Sequence, residues 1–282
     1  MAPSDLPTLS LPDATLLPRL GLGTWRMGER PEKRVAEIAA LQEGLDLGMR
    51  VIDTAEMYAD GGAEKVVAEA IRGRRHEAFV VSKFYPHHAS RRTLARACEG
   101  SLRRMGIERI DLYLLHWRGD VPFEETVEVL GGLCSAGKIA RWGVSNLDVA
   151  DLQALVSCRG AGGLAINQVL YNLTRRGIEW DLLPWQRERR IPTMAYSPIQ
   201  QGRLAAHPAL GKIASRLEVT PAQLALAWAI RDADVMAVPK AASRAHVREN
   251  RAAASVALDA QALSLLDASF VPPRRRMPLE MI

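Results

Sequence analysis

The stretch Val51-Ile-Asp-Thr-Ala-Glu-Met-Tyr58 decides how this chain is read. Two β-branched apolar residues run straight into an aspartate, with no polar alternation before it. A short run of that kind fits a strand buried on both faces, as in a parallel sheet. Working outward, the pattern recurs. Phe79-Val-Val-Ser82 leads into Lys83, and Ile110-Asp-Leu-Tyr-Leu-Leu115 leads into His116. Residues 139–144 lead into Ser145 and Asn146. Leu20-Gly-Leu-Gly-Thr24 comes before all of these, and residues 164–166, 193–196 and 235–238 come after.

Helical spacing fills the intervals. Ile38, Leu41 and Leu45 share a face, as do Val66, Val67, Ala70 and Ile71. Leu94, Ala97, Cys98, Leu102 and Met105 keep the same 3/4 rhythm, followed by Val127, Leu130 and Cys134, then Val149, Leu152, Leu155 and Val156. A helix is expected over residues 178–189. Another starts at Thr220-Pro-Ala-Gln223, where the hydroxyl can accept from a free backbone N–H and the glutamine can reach back. A closing helix carrying Leu263 and Leu266 begins at Asp259. Eight apolar strands alternating with helices predict a (β/α)8 TIM barrel. Residues 8–17, broken by Pro12-Asp13-Ala14, predict an N-terminal β-hairpin that caps one end. The chain reads as one barrel domain over residues 1–282, with a tail at 268–282. A doubly wound open sheet is the alternative, but Gly21-Leu22-Gly23 lacks the third glycine of a dinucleotide fingerprint.

Bulk properties narrow the function. The 282 residues are 48% hydrophobic and 24% charged, as in ordinary globular proteins. The net charge of +5 is spread along the chain, so no nucleic acid is expected, though an anionic small molecule would suit it. Cys98, Cys134 and Cys158 are unclustered, which fits free thiols in a reducing compartment and gives no zinc spacing; no metal is expected. The N-terminus lacks a signal-peptide pattern and no apolar run is long enough for a membrane span, so the expected location is the cytoplasm.

The chemistry sits where the strands end, which in a barrel is one mouth. Asp53 and Lys83 end adjacent strands and can pair, and Tyr58 follows in the next loop. A phenol is a weak acid with a pKa near ~10, and a neighbouring cation lowers it. Lys83, held by Asp53, is expected to do this for Tyr58, while His116 orients a carbonyl oxygen or relays a proton. A carbonyl polarised in this way can accept hydride. Two other readings remain open. Lys83 could form a Schiff base in a lyase or aldolase, or the chain could be a non-enzymatic nicotinamide-binding redox sensor.

These motifs, taken in order, resemble the aldo-keto reductases over nearly the whole chain. Leu20-Gly-Leu-Gly-Thr-Trp25 is similar to that family's first strand and loop, and Asp53-Thr-Ala-Glu-Met-Tyr58 to its aspartate–tyrosine signature. Val81-Ser-Lys83, Leu114-Leu-His116-Trp117, Gly143-Val-Ser-Asn146, Asn167-Gln168-Val169 and Ala195-Tyr-Ser-Pro198 also match. The resemblance implies a catalytic tetrad of Asp53, Tyr58, Lys83 and His116, with Tyr58 as general acid. It implies that Ser145, Asn146 and Gln168 bind a nicotinamide carboxamide and that Tyr196 stacks on the ring. Gly23, Thr24 and Trp25 would lie beside the cofactor. Ser197, Pro198, Ile199, Gln201, Gly202 and Arg203 would follow its pyrophosphate. At the adenosine end the family pattern is only partly kept: Lys240, Glu249 and Asn250 remain, Ala241 and Ala242 replace a serine-bearing stretch, and His246 stands where arginine is usual. Arg244 lies near enough in sequence to compensate. NADPH is the expected cofactor, with NADH open.

Trp25, Tyr85 and Trp117 are expected to line the mouth and to suit a small organic carbonyl. The loop after His116 is short and little chain follows the last helix, so an open, unselective site is expected. Residues 53–65 and 239–242 resemble the bacterial branch that reduces methylglyoxal and related 2-oxoaldehydes. The family is often monomeric, and a monomer is expected here.

Overall fold

Eight short parallel strands form a ring, and the reason lies at its seam. The structure, a computed structural model, describes residues 6–282; the first five, part of the stretch read as lacking a signal sequence, lie outside them. The strands are β3 (Leu22–Gly23), β4 (Val51–Asp53), β5 (Phe79–Phe84), β6 (Leu112–Leu115), β7 (Trp142–Ser145), β8 (Leu164–Leu170), β9 (Thr193–Tyr196) and β10 (Val235–Ala237). They lie in sequence order, each parallel to the next. Leu20 bridges Ala237 and Gly23 bridges Lys240, which brings the first strand back to the last. The expected barrel is present, and an open sheet is excluded.

The seam also explains Gly21-Leu22-Gly23. A Cβ on Gly23 would stand 2.6 Å from the Val238 carbonyl oxygen, and one on Gly21 2.9 Å from that of Val51. Both glycines are there so that backbones can approach closely, rather than to cradle a phosphate. The hairpin forms as β1 (Thr8–Ser10) and β2 (Leu16–Pro18), paired antiparallel. Its Leu9, Leu11 and Leu17 plug the barrel, packing with Val51, Val81, Leu112, Leu114, Met194 and Met236 inside the ring.

That inner layer fixes the direction of the polar strand ends. Side chains alternate along a strand, so a residue two beyond an interior one is interior too. Val51, Val81 and Leu114 are interior, which aims Asp53, Lys83 and His116 into the same end of the barrel. Ser82, one residue out of phase, faces the helices.

The surrounding helices are α1 (Arg34–Asp46), α2 (Gly62–Ala70), α3 (Leu94–Met105), α4 (Phe123–Ser135), α5 (Val149–Val156), α6 (Leu182–Glu188), α7 (Pro208–Arg216), α8 (Pro221–Ala229), α9 (Arg244–Ala252) and α10 (Ala260–Ser269). The expected start of α8 is borne out: Thr220 and Gln223 form a reciprocal cap, and Pro221 opens the first turn. Asp259 caps α10, accepting from the Ala262 N–H.

Some boundaries differ from the sequence reading. The helix expected over 178–189 is a 3₁₀ turn followed by α6, with Pro184 in the first turn of the latter. α7 and α9 were not anticipated. α10 runs to Ser269, so the tail begins at Phe270 rather than at 268. Among the described residues no helix is long and apolar enough to cross a membrane.

Candidate active site

Lys83 has no exposed surface, and a buried charge must be paired to be tolerated. Its three ammonium protons have three acceptors. Nζ lies 2.8 and 2.9 Å from the two carboxylate oxygens of Asp53, 2.9 Å from the Thr54 carbonyl and 3.1 Å from the Tyr58 hydroxyl. Burial alone would push the ammonium down, but attraction to Asp53 and Tyr58 outweighs it and holds Lys83 above its ordinary value. It is therefore charged across the neutral range. A Schiff-base nucleophile needs a neutral, accessible amine, and Lys83 is neither.

Because Lys83 donates to the Tyr58 oxygen, the phenol's own proton is left to point elsewhere, and Tyr58 lines the cleft. The expectation of a lowered phenol pKa needs correcting. Burial pushes Tyr58 above 10.0; Lys83 pulls it back and Asp53 pushes it up again. The phenol thus stays protonated across the neutral range, and the effect of Lys83 is felt as negative charge develops on that oxygen.

His116 packs edge-on to Tyr58, ring centroids 5.9 Å apart. Burial, with help from the Lys83 charge, pushes its pKa down to about 2, so the imidazole is neutral. Its Nδ1 is buried without a partner among the described residues. His116 lines the cleft, and with the proton on Nε2 the imidazole has a donor free to meet a group bound there.

These side chains open onto a cleft of about 780 Å³ that runs across the barrel mouth. Asp53, Tyr58, His116, Ser145, Asn146, Gln168 and Tyr196 line one part of it. The Tyr196 hydroxyl donates to Asn146 Oδ1 at 3.0 Å, and Asn146 Nδ2 reaches Ser145 Oγ and the His116 carbonyl, both at 3.1 Å. Gln168 Nε2 donates to Asp53 Oδ1 at 2.8 Å, which leaves its carbonyl oxygen as the free end. Asn146 takes a left-handed φ of 57°, a conformation asparagine tolerates well.

Ser197, Pro198, Ile199, Gln201 and Gly202 form the next stretch of wall, and Lys240, His246, Glu249 and Asn250 the far end. Ser197, Gln200, Gln201 and Gly202 have positive φ, and the Gln200 and Gly202 N–H groups close the turn onto the Ser197 and Ile199 carbonyls at 3.0 and 2.9 Å. Lys240 stands at the rim. Partial desolvation pushes its ammonium down, Glu37 pulls it up, and Lys33 and Arg26 push it down again, so cations are crowded at this end. Amide-binding groups at one end and cations at the other fit a nicotinamide dinucleotide lying along the groove.

Several expected residues do not line the cleft. Thr24 is buried and donates to the Asp53 carbonyl at 2.9 Å, so it holds the strand end. Arg203 is exposed, and Ala241 and Ala242 lie off the groove, with Ala241 buried. The exposed Arg244 guanidinium lies 3.9 Å from Glu43, and Arg244 is outside the lining of the groove. Of the aromatic trio, Trp25 and Trp117 line the cleft, and Tyr85 packs edge-on behind Trp117 at 5.9 Å.

Other lining residues went unanticipated. Arg26 and Met57 lie one position from named residues, so proximity in sequence was the available signal. Met281 and Ile282 also line the cleft, so the tail contributes to the wall of a mouth expected to be open. The tail is tied down by Arg276 to Asp181 and by Glu280 to Arg175, each at 3.0 Å, and its last residues reach the site. Sequence carried no signal for this, because a tail without periodicity does not say where it docks.

Comparison with known proteins agrees with this geometry. The model of the aldo/keto reductase family matches residues 19–270. Methylglyoxal reductase YeaE of Escherichia coli is 50% identical over 271 residues, covering 94% of this chain and 95% of its own. A crystal structure of an aldo/keto reductase from Klebsiella pneumoniae in complex with NADP and acetate superposes with a TM-score of 0.96. It is 50% identical and covers 98% of this chain and 100% of that one. An NADH-specific methylglyoxal reductase of E. coli is 30% identical over 301 residues, covering 86% of this chain and 91% of its own.

Proposed function

The chain belongs to the aldo/keto reductase family, and from that premise we propose that it reduces small 2-oxoaldehydes, methylglyoxal among them, to hydroxy carbonyl products with NADPH. When bound, the cofactor supplies the hydride. The observation that carries the proposal is the Lys83 ammonium donating to the Tyr58 hydroxyl at 3.1 Å while Asp53 holds it from behind.

In this reading the substrate oxygen sits between Tyr58 Oη and the His116 Nε2–H. The neutral imidazole donates a hydrogen bond that fixes the carbonyl and polarises it. As negative charge grows on the substrate oxygen, Tyr58 gives up its proton, and the phenolate so formed is met by the ammonium already in place. No group need move, which is the advantage of a preorganised site. Ser145, Asn146 and the free carbonyl of Gln168 offer partners for a carboxamide, and the Tyr196 ring forms the wall against which a nicotinamide can stack. Lys240, with Arg26, supplies charge for phosphate. Arginine is the stronger clamp on a 2′-phosphate than histidine, and His246 stands in its place, so use of NADH alongside NADPH belongs to this proposal.

Trp25 and Trp117 supply apolar walls, and the residues Met281 and Ile282 narrow the opening. Those walls suit a short, weakly polar carbonyl better than a long charged one. The three free cysteines support a reducing, cytoplasmic setting, and a monomer suffices because the groups named all come from one chain.

The test is spectrophotometric. Purified protein should oxidise NADPH in the presence of methylglyoxal well above its background rate, with NADH giving a lower kcat/KM. Oxidation no faster with methylglyoxal than without it would end the substrate assignment.

A further inference from the structure

The turn that follows Tyr58 is held in an unfavourable conformation. Ala59, Asp60 and Gly61 take left-handed φ values of 51°, 50° and 81° in succession. Only glycine visits this region freely, and strain of this kind persists only where the surroundings over-determine it. Two groups do so here. On one side the turn packs against Gly28, where a Cβ would stand 2.5 Å from the Gly62 carbonyl carbon. On the other side Arg104 lies across it, so closely that a Cβ on Gly61 would stand 2.4 Å from Arg104 Cδ.

We infer that Glu56 and Arg104 are positioning residues for Tyr58, clamping this strained turn so that the phenol stays against Lys83. The inference rests on the reductase reading, since it concerns the group assigned there as proton donor. Glu56 lies two residues before Tyr58, with its carboxylate nearly buried. Its Oε1 accepts from the Tyr85 N–H at 2.8 Å and contacts His88 Nδ1 at 2.8 Å. Its backbone N–H continues the ladder onto the Lys83 carbonyl at 3.1 Å. Glu56 therefore ties the loop bearing Tyr58 to the strand bearing Lys83 and to the loop after it.

Arg104, from α3, completes the clamp. Its guanidinium pairs with Glu64, approaches Glu56 at 3.9 Å and donates to Ser101 at 3.1 Å. Glu64 is wholly buried at the start of α2 and accepts from Ser82 Oγ at 2.7 Å. Ser82 is the outward-facing neighbour of Lys83, so the same arginine braces both ends of the turn against β5. None of these groups faces the cleft. They act through where Tyr58 is held.

The test measures turnover, binding and stability on the same variants. Glu56→Ala should lower kcat for carbonyl reduction about 10-fold or more, with the NADPH Kd from fluorescence titration within about twofold of the unmodified protein. Glu56→Gln should fall between the two, because its amide oxygen can still accept from the Tyr85 N–H. Adding Ala59→Gly to Glu56→Ala should recover at least about threefold of the lost kcat, since it removes strain the clamp otherwise opposes. A role in general stability alone would instead lower the melting temperature without changing kcat per folded molecule. Full kcat in both Glu56 variants, or a loss that Ala59→Gly leaves untouched, would overturn the inference. An unmodified protein with no turnover on any small carbonyl would instead overturn the reductase reading.

Discussion

Tyr58→Phe should reduce carbonyl turnover by about 1,000-fold, within the range of roughly 10²–10⁴ assigned to a positioned proton donor, while NADPH binds within about twofold of the unmodified protein. The substitution removes one oxygen and keeps the ring, so contacts with Trp25 at 5.0 Å and His116 at 5.9 Å survive. Lys83 loses one of its three acceptors and keeps Asp53 and Thr54. Stability should therefore change little. Stopped-flow or steady-state NADPH oxidation, paired with fluorescence titration of NADPH, checks both halves. Turnover within tenfold of the unmodified protein would move the proton donor elsewhere.

Lys83→Met should remove activity and destabilise the fold together. With the ammonium gone, Asp53 stays buried with the Gln168 amide as its remaining side-chain donor. Removing one partner of a buried ion pair costs about 3–5 kcal/mol because the other charge is left uncompensated. At roughly 2–4 °C per kcal/mol for a chain of this size, the melting temperature should drop by about 10 °C. Turnover should fall at least about 100-fold, since the phenolate would form with no cation beside it. The double variant Asp53→Asn with Lys83→Met separates the effects. It removes both charges, so most of the melting temperature should return while turnover does not. Thermal melts and NADPH oxidation on the single and double variants measure this; a double variant as unstable as the single one would contradict the ion-pair account.

The barrel could be read from sequence because most strands are short apolar runs, several of which lead into a polar residue such as Asp53, His116 or Ser145. Asp53, Lys83 and His116 could be placed at one mouth from that pattern alone, since alternation fixes which way a strand end points. Thr220 and Gln223 were legible as a cap because the partners are three residues apart. What escaped is what depends on partners distant in sequence. Nothing in residues 244–252 sets α9 apart from a binding loop, and its Arg244 turns toward Glu43, some two hundred positions away. The burial that raises the phenol of Tyr58 comes from the whole rim closing round it, so sequence gave only the effect of Lys83 and missed the larger opposing one. The tail that carries Met281 and Ile282 is held by the ion pairs of Arg276 with Asp181 and of Glu280 with Arg175, and no local pattern announces them.

The pH dependence of kcat/KM for carbonyl reduction decides most directly whether Tyr58 or His116 gives the proton. His116 is neutral above about pH 2, and the Tyr58 phenol stays protonated to above 10.0. Reduction by a protonated phenol should therefore hold a level rate between about pH 5 and 9 and fall only as the alkaline range deprotonates Tyr58. A rate that instead declines through the ordinary histidine range near pH ~6.5 would make imidazolium the acid and contradict the account.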